Sequence, residues 1–263
     1  MVISHQMPNR LALSVIPLTI VMVALLLWIA DREADKRAPD FSAISNVKTK
    51  KSTFFAYLLP LVQQANEEIR QERIAFLKVS KRLLQNRPLT AKQTDTIRLL
   101  AKKYRVTDEE PVSANAMTLL DRRIDNIPAS LALAQAANES GWGTARFAVK
   151  GNNYFGLWCW SSDCGLVPNE RKEGASHEVS TFKTPVDSVK NYMLTLNSHP
   201  AYKKLRDLRL EARNNDTPLA GALLAGGLLS YSERGEAYIE ELRAMIRVNN
   251  LGQFDQANLD PAP

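Results

Sequence analysis

Between Pro128 and Gly143 the chain runs from an almost unbroken series of small and apolar residues, Ala-Ser-Leu-Ala-Leu-Ala-Gln-Ala-Ala, into Asn138-Glu-Ser-Gly-Trp-Gly143. A segment apolar on nearly every face predicts a helix buried on most sides, with Pro128 in its first turn and Gly141 as its stop. Glu139 then falls at the negative end of the helix dipole and beside Trp142, and both influences disfavour an ionised carboxylate. A carboxyl kept protonated near neutral pH can give its proton to a leaving group. A lone Glu-Ser-Gly would equally suit a solvated, frayed helix end, so the flanking sequence has to discriminate.

With Asn152-Asn-Tyr-Phe-Gly-Leu-Trp158 following it, the stretch Ala134 to Gly143 resembles the lysozyme-like N-acetylglucosaminidase domain of bacterial autolysins and flagellar peptidoglycan hydrolases, glycoside hydrolase family seventy-three. The Cys159 to Cys164 loop, Ser198-His-Pro-Ala-Tyr202 and Gly-Leu-Leu-Ser-Tyr231 are most similar to its Bax-type branch. The resemblance covers roughly Leu119 to Asn250, about half of the chain. It implies an α+β, mostly helical fold: a lysozyme-like domain with a small β-hairpin lobe. It also places Glu139 on the catalytic acid, and Asn153, Tyr154, Phe155 and Gly156 on the substrate-cleft motif. Tyr231 and Tyr238 resemble the family's C-terminal tyrosines but stand seven apart rather than six, which leaves open which one faces the cleft. A second carboxylate is often proposed on the hairpin of such enzymes. Glu170, Glu173 and Glu178 qualify, with Glu173 nominated. Trp142, Tyr154, Phe155, Trp158 and Trp160 are candidates for sugar-stacking walls, although an aromatic ring is as often core as cleft.

The implied activity is hydrolysis of the peptidoglycan glycan strand after N-acetylglucosamine, with no cofactor and no metal. The replacing group would be water activated by the second carboxylate, or the substrate's own N-acetyl oxygen. Two rivals remain: a lytic transglycosylase, which shares the acid but forms an anhydro sugar, and a non-catalytic peptidoglycan-binding scaffold. A serine-histidine triad is a poor rival, because His5, His177 and His199 have no serine elbow near them.

Leu11 to Ala30 is a twenty-residue stretch without a charge, long enough to span a bilayer as a helix, with Trp28 near its end. A cleaved secretory signal is the alternative, but the apolar core is long and Trp28-Ile-Ala30 is a poor cleavage site. Either reading sends Asp31 onward out of the cytoplasm, with a bacterial inner-membrane anchor and a periplasmic catalytic domain expected. The Lys and Arg count around the span does not favour export: Arg10 precedes it, whereas Arg32, Lys36 and Arg37 follow. Long domains translocate largely regardless of that bias.

Residues 1–126 hold 20 Lys and Arg against 13 Asp and Glu, whereas 127–263 hold 14 against 15, so the excess charge is not in the catalytic part. Such a basic region suits anionic headgroups or wall-peptide carboxylates, or is a solvated face. No recognisable module points to nucleic acid. No feature identifies a protein regulator. Cys159 and Cys164, five apart, would close a small disulfide loop in an oxidising compartment and fix Trp158 and Trp160 at a cleft rim. Reduced thiols are the alternative. A metal site lacks further cysteines, and His177 is the sole imidazole nearby.

These signals divide the chain into an anchor or signal at 1–30, a linker at 31–52, a helical extension at 53–112, the hydrolase domain at 113–252 and a loose tail at 253–263. Helical spacing runs from Thr53 through Leu84, as one helix or two, then from Thr90 as N-cap to Tyr104. The apolar stripe of this extension is expected to pack on the hydrolase domain. Ala114 to Arg123, Pro185 to Leu196, Pro218 to Leu229 and Glu233 to Val248 read as helices. Tyr154 to Trp158 and Ser176 to Phe182 read as strands.

Overall fold

A computed structural model describes residues 38–107, 110, 112–169, 171 and 174–255. The apolar stretch Leu11–Ala30 lies outside them, and among the described residues no helix is long and apolar enough to cross a membrane. From Asp40 onward the chain forms one unit, mostly helical with one small sheet.

The first helix, α1 (Val47–Leu84), is a single rod of 38 residues, about 57 Å long at the α-helical rise. It begins at Val47, six residues before the expected Thr53, because the side chain of the N-cap Asn46 accepts the Thr49 amide at 2.9 Å. Phe54, Leu58, Val62, Ala65 and Ile69 form the stripe expected of it, and all are buried. Pro60 lies on the exposed side, where the Ala56 carbonyl that it leaves unbonded can meet water. The presumed linker is therefore partly built into the fold: α1 begins inside it, and Phe41 is only 2% exposed.

Helices α2 (Ala91–Lys103), α3 (Ala114–Arg123), α4 (Ala129–Glu139) and α5 (Arg146–Gly151) follow. Thr90 and Gln93 form a capping box at the start of α2. Next come β1 (Trp158–Cys159), β2 (Gly165–Leu166) and β3 (Glu178–Ser180), an antiparallel sheet in the order β1-β3-β2. The chain closes with α6 (Pro185–Ser198), α7 (Lys203–Asn214), α8 (Gly221–Leu224) and α9 (Glu236–Val248). Tight 3-10 turns occupy Pro200–Tyr202, Ala225–Gly227 and Leu251–Phe254.

Everything is arranged around α4. Its residues Ala129 to Ala137 are all buried, and α1, α8, α9 and the Leu251–Phe254 turn pack against it. Alanine at most positions lets those helices approach closely, while Leu131 and Leu133 fill the gaps. Its first turn has no side-chain cap of its own. Asp255 supplies one from far along the chain, accepting the Ser130 amide at 2.8 Å and the Ser130 hydroxyl at 2.7 Å. The segment expected to be loose after Gly252 is thus held at least to Asp255; residues beyond it lie outside the described set.

Three further expectations are corrected. The β-lobe is a three-stranded sheet rather than a hairpin, and Tyr154 to Leu157 is a turn rather than a strand. Asn153 takes the backbone groups that strand pairing would need: its side chain bonds the Leu157 and Ser180 carbonyls and the Phe155 and Leu157 amides. The helix expected from Pro218 to Leu229 shrinks to α8 plus a 3-10 turn, since Gly226 and Gly227 hold a helix poorly. Helix α7 had no apolar period to betray it, because two of its four buried positions are arginines, Arg206 and Arg209. Arg209 is 1% exposed and ion-pairs with Asp125 at 3.2 Å while bonding Asn197 Oδ1 at 2.7 Å. Its charge is neutralised and its donors are used, which is what permits burial.

Asn66 ties α1 to the loop that delivers α4, donating to the Ile127 carbonyl at 2.8 Å and accepting the Ile127 amide at 3.0 Å. Both partners are buried, so Asn66→Ala strands two backbone groups. The variant is expected to lose about 2–4 kcal/mol of unfolding free energy, measured by urea denaturation.

Candidate active site

Glu139 is the last residue of α4, and the chain reverses immediately after it. Gly141, Trp142 and Gly143 have φ of 54°, 60° and 80°, three successive left-handed residues. The Trp142 amide returns to the Ala137 carbonyl at 2.9 Å, satisfying one of the carbonyls that the helix end leaves open. The Gly143 amide donates to Ser140 Oγ at 2.8 Å. The turn stops the helix where Gly141 was expected to stop it and leaves the Glu139 side chain half-buried.

Two other segments close on that carboxylate. From α9, the Tyr238 hydroxyl donates to Glu139 Oε1 at 2.7 Å. From the turn after α5, Gly156 faces Oε2: a Cβ placed there would stand 3.5 Å from it, and its φ of 64° is one that side chains disfavour. Behind Tyr238 runs a relay in which Tyr192 donates to Gln135 Oε1 at 2.6 Å and Gln135 Nε2 donates to the Tyr238 oxygen at 3.0 Å. Since that oxygen already accepts from Gln135, the Tyr238 proton is left to point at Glu139.

Burial pushes the Glu139 carboxyl above its ordinary range. The Tyr238 hydroxyl and the Asn138 side chain pull it back down by bonding the charged form. The field of Glu241 adds to the rise and that of Arg234 opposes it. Those two are themselves paired at 2.7 Å.

The remaining site residues read from the sequence separate into distinct groups. Tyr231 is one helical turn and a loop away from Tyr238 and stacks on it, with centroids 5.7 Å apart and planes 4° from parallel. Its hydroxyl donates to the Phe155 carbonyl at 2.8 Å. Tyr238 thus holds the acid, and Tyr231 holds the turn opposite. Tyr154 and Phe155, nominated as cleft walls, are each 1% exposed and belong to the core. Phe155 stacks on Tyr192 at 4.0 Å, and Tyr154 packs on Phe54 and shares a hydroxyl hydrogen bond with Tyr57. Rings so enclosed cannot face a sugar. Asn153, 2% exposed with both ends of its amide bonded, shapes the turn rather than meeting solvent. Trp142 packs edge-on against Phe54 and Phe55, with Lys51 Nζ 4.9 Å above its ring.

Trp158 and Trp160 differ: they are 55% and 69% exposed on the β-lobe. Trp158 stacks on His177 at 4.1 Å. Cys159 and Cys164 are joined by a disulfide. Glu178, once a candidate second carboxylate, is 9% exposed and caps the disulfide loop, accepting the Asp163 amide at 3.3 Å and the Gly165 amide at 2.8 Å. Its oxygens are committed, so it is withdrawn from that role. Glu170 and Glu173 lie outside the described residues. Cys159, Cys164 and Glu178 cluster closely enough to suggest a metal. The two sulfurs are bonded to each other, which leaves no thiolate for an ion.

Sequence reading missed Gln135 and Tyr192, which orient Tyr238. A signal did exist for the first: apart from Ser130 in the first turn, Gln135 is the one polar residue in the small, apolar run, four before Glu139 and so on the same helical face. Nothing local marks Tyr192, Arg234 or Glu241.

The family described as mannosyl-glycoprotein endo-beta-N-acetylglucosaminidase, or glucosaminidase, has a sequence model that matches residues 116–251. The chain is similar to Protein bax of Escherichia coli (strain K12), with 29% identity over 211 residues, 80% of this chain and 74% of that protein. No solved structure matches.

A carboxyl with a raised pKa is a cost to folding wherever it must ionise. Below the ordinary carboxylate pKa both states are protonated and the cost vanishes; it grows as pH rises towards and through the folded-state pKa. Glu139→Gln is therefore expected to raise the thermal midpoint at pH 8 by a few degrees, about 1 kcal/mol on the usual scale, and to give no gain at pH 3. Differential scanning fluorimetry across that range checks the sign.

Proposed function

The chain belongs to the glucosaminidase family, and on that premise we propose that it is an endo-β-N-acetylglucosaminidase cleaving the glycan strand of peptidoglycan, with Glu139 as the general acid. The observation that carries this reading is the half-buried carboxyl of Glu139, raised in pKa by burial, with Oε1 bonded by Tyr238 and Oε2 facing Gly156. That second oxygen carries the proton delivered to the departing glycosidic oxygen. As the proton leaves, the Tyr238 hydroxyl bonds the carboxylate that forms, a stabilisation that grows with the charge.

On the opposite face of the sugar, water attacks the anomeric carbon and gives up its proton to a second carboxylate, for which Glu173 remains our nominee. Bond order is conserved: one C–O bond breaks, one forms, and the two carboxyls return to their starting states through solvent. Trp158 and Trp160, exposed on a lobe braced by the disulfide and by Glu178, supply flat apolar faces on which sugar rings can stack. We place the enzyme outside the cytoplasm, held at the inner membrane by Leu11–Ala30. The disulfide supports an oxidising compartment.

Mass spectrometry of digested sacculi is expected to find reducing N-acetylglucosamine ends. Anhydromuramic ends would assign a transglycosylase, and intact sacculi a binding protein. Glu139→Gln should lower turnover at least about a hundredfold, the usual scale for loss of a general acid.

Tyr238→Phe removes a bond to the ionised form of Glu139, so the folded pKa rises further. Activity requires the protonated acid and is lost as pH climbs through that pKa. The alkaline limb of the rate profile is thus expected to move to higher pH, and movement to lower pH would contradict the assignment. Replacing both Trp158 and Trp160 by alanine should raise KM about tenfold or more, at about 0.5–1.5 kcal/mol per aromatic contact, with little change in kcat.

A further inference from the structure

Residues 40–57 lie before the family-matched region, yet they cover the turn that follows Glu139. The Phe41 ring rests on Gly143: a Cβ at that glycine would overlap the ring, with Cε2 only 2.8 Å away. Phe41 is itself held edge-on by Phe54 at 5.4 Å and Tyr57 at 6.0 Å. Asp40 fixes the chain on its other side, accepting the Ser42 amide at 3.0 Å and the Ser42 hydroxyl at 2.5 Å. One residue along the turn, Trp142 is packed between Phe54 and Phe55 of α1.

That turn needs support. A tryptophan at a φ of 60° is disfavoured, by about 1–2 kcal/mol, and persists only where its surroundings over-determine it. The turn is also rigidly joined to the acid, since Gly143 bonds Ser140 and Trp142 bonds Ala137, on either side of Glu139.

We infer that Phe41 is a positioning residue for Glu139: its ring, wedged on Gly143, holds the left-handed turn that sets where the carboxyl emerges from α4. This rests on the reading of Glu139 as the general acid. It extends the catalytic unit to Asp40, well ahead of residues 116–251.

The test uses the full chain. Phe41→Ala is expected to lower kcat on sacculi about tenfold, a modest case of the losses that small misplacements cause, while cosedimentation with sacculi stays unchanged. Hydrogen exchange in the peptide covering residues 138–145 should rise in parallel. Phe41→Leu, which keeps an apolar plug on Gly143, should recover most of the turnover and protection. If the alanine variant does not fold, the leucine variant carries the test with a loss of about two- to threefold.

Wild-type turnover and exchange in every variant that folds overturns the inference. So does a fall in turnover matched by an equal fall in sacculus binding. A wild-type chain that releases no sugar ends sinks the hydrolase reading and this inference with it. An active wild type indifferent to position 41 sinks the inference alone.

Discussion

Three hydrogen bonds in series, from Tyr192 to Gln135, from Gln135 to Tyr238 and from Tyr238 to Glu139, join α6, α4 and α9 and end on the carboxyl. Their polarity is set at the buried end. Tyr192 can only donate to the Gln135 oxygen, which turns the amide nitrogen towards Tyr238, which in turn leaves the Tyr238 proton for Glu139. In a low-dielectric interior such a series is stronger than its members taken singly. The helices cannot shift relative to one another without breaking it, so the core and the site hold each other in register.

Around that series the fold solves a conflict between burial and chemistry. A helix as apolar as α4 is stable only when covered, whereas the general acid we propose at its end must meet substrate. Ending the helix at Glu139 with three left-handed residues satisfies both demands, because Ala129 to Ala137 stay inside while Asn138 and Glu139 reach the rim. Partial burial is also what raises the pKa of that carboxyl. The motif Asn153-Tyr-Phe-Gly156 serves the same end from across the gap: three of its side chains are anchors, and the fourth residue, lacking one, leaves the carboxyl uncovered.

The β-lobe follows a different logic. Its strands are two or three residues long and would not pair stably alone. The Cys159–Cys164 bond, the Glu178 cap and the Asn153 bridge to Ser180 replace the missing ladder. A lobe held by side chains rather than by a core can display two tryptophans to solvent without collapsing around them.

The helix that carries Glu139, its stop at Gly141, the caps at Thr90 and the short-loop cysteines were all legible in the sequence, because helical period, glycine chemistry and cysteine spacing are local properties. The resemblance of the Glu139 and Gly156 motifs to a known family was equally local. Which of those residues face the site was not, since a ring at position 154 or 155 reads the same whether it meets a sugar or Tyr192. The choice between Tyr231 and Tyr238, the loss of Glu178 to a capping role, the arginine-lined helix α7 and the seat of Phe41 on Gly143 depend on partners more than a dozen residues away. Chain order sets only what lies within a few turns. Direction, burial and hydrogen-bond partner are decided when distant segments compete for the same space, and only the packed structure records the outcome.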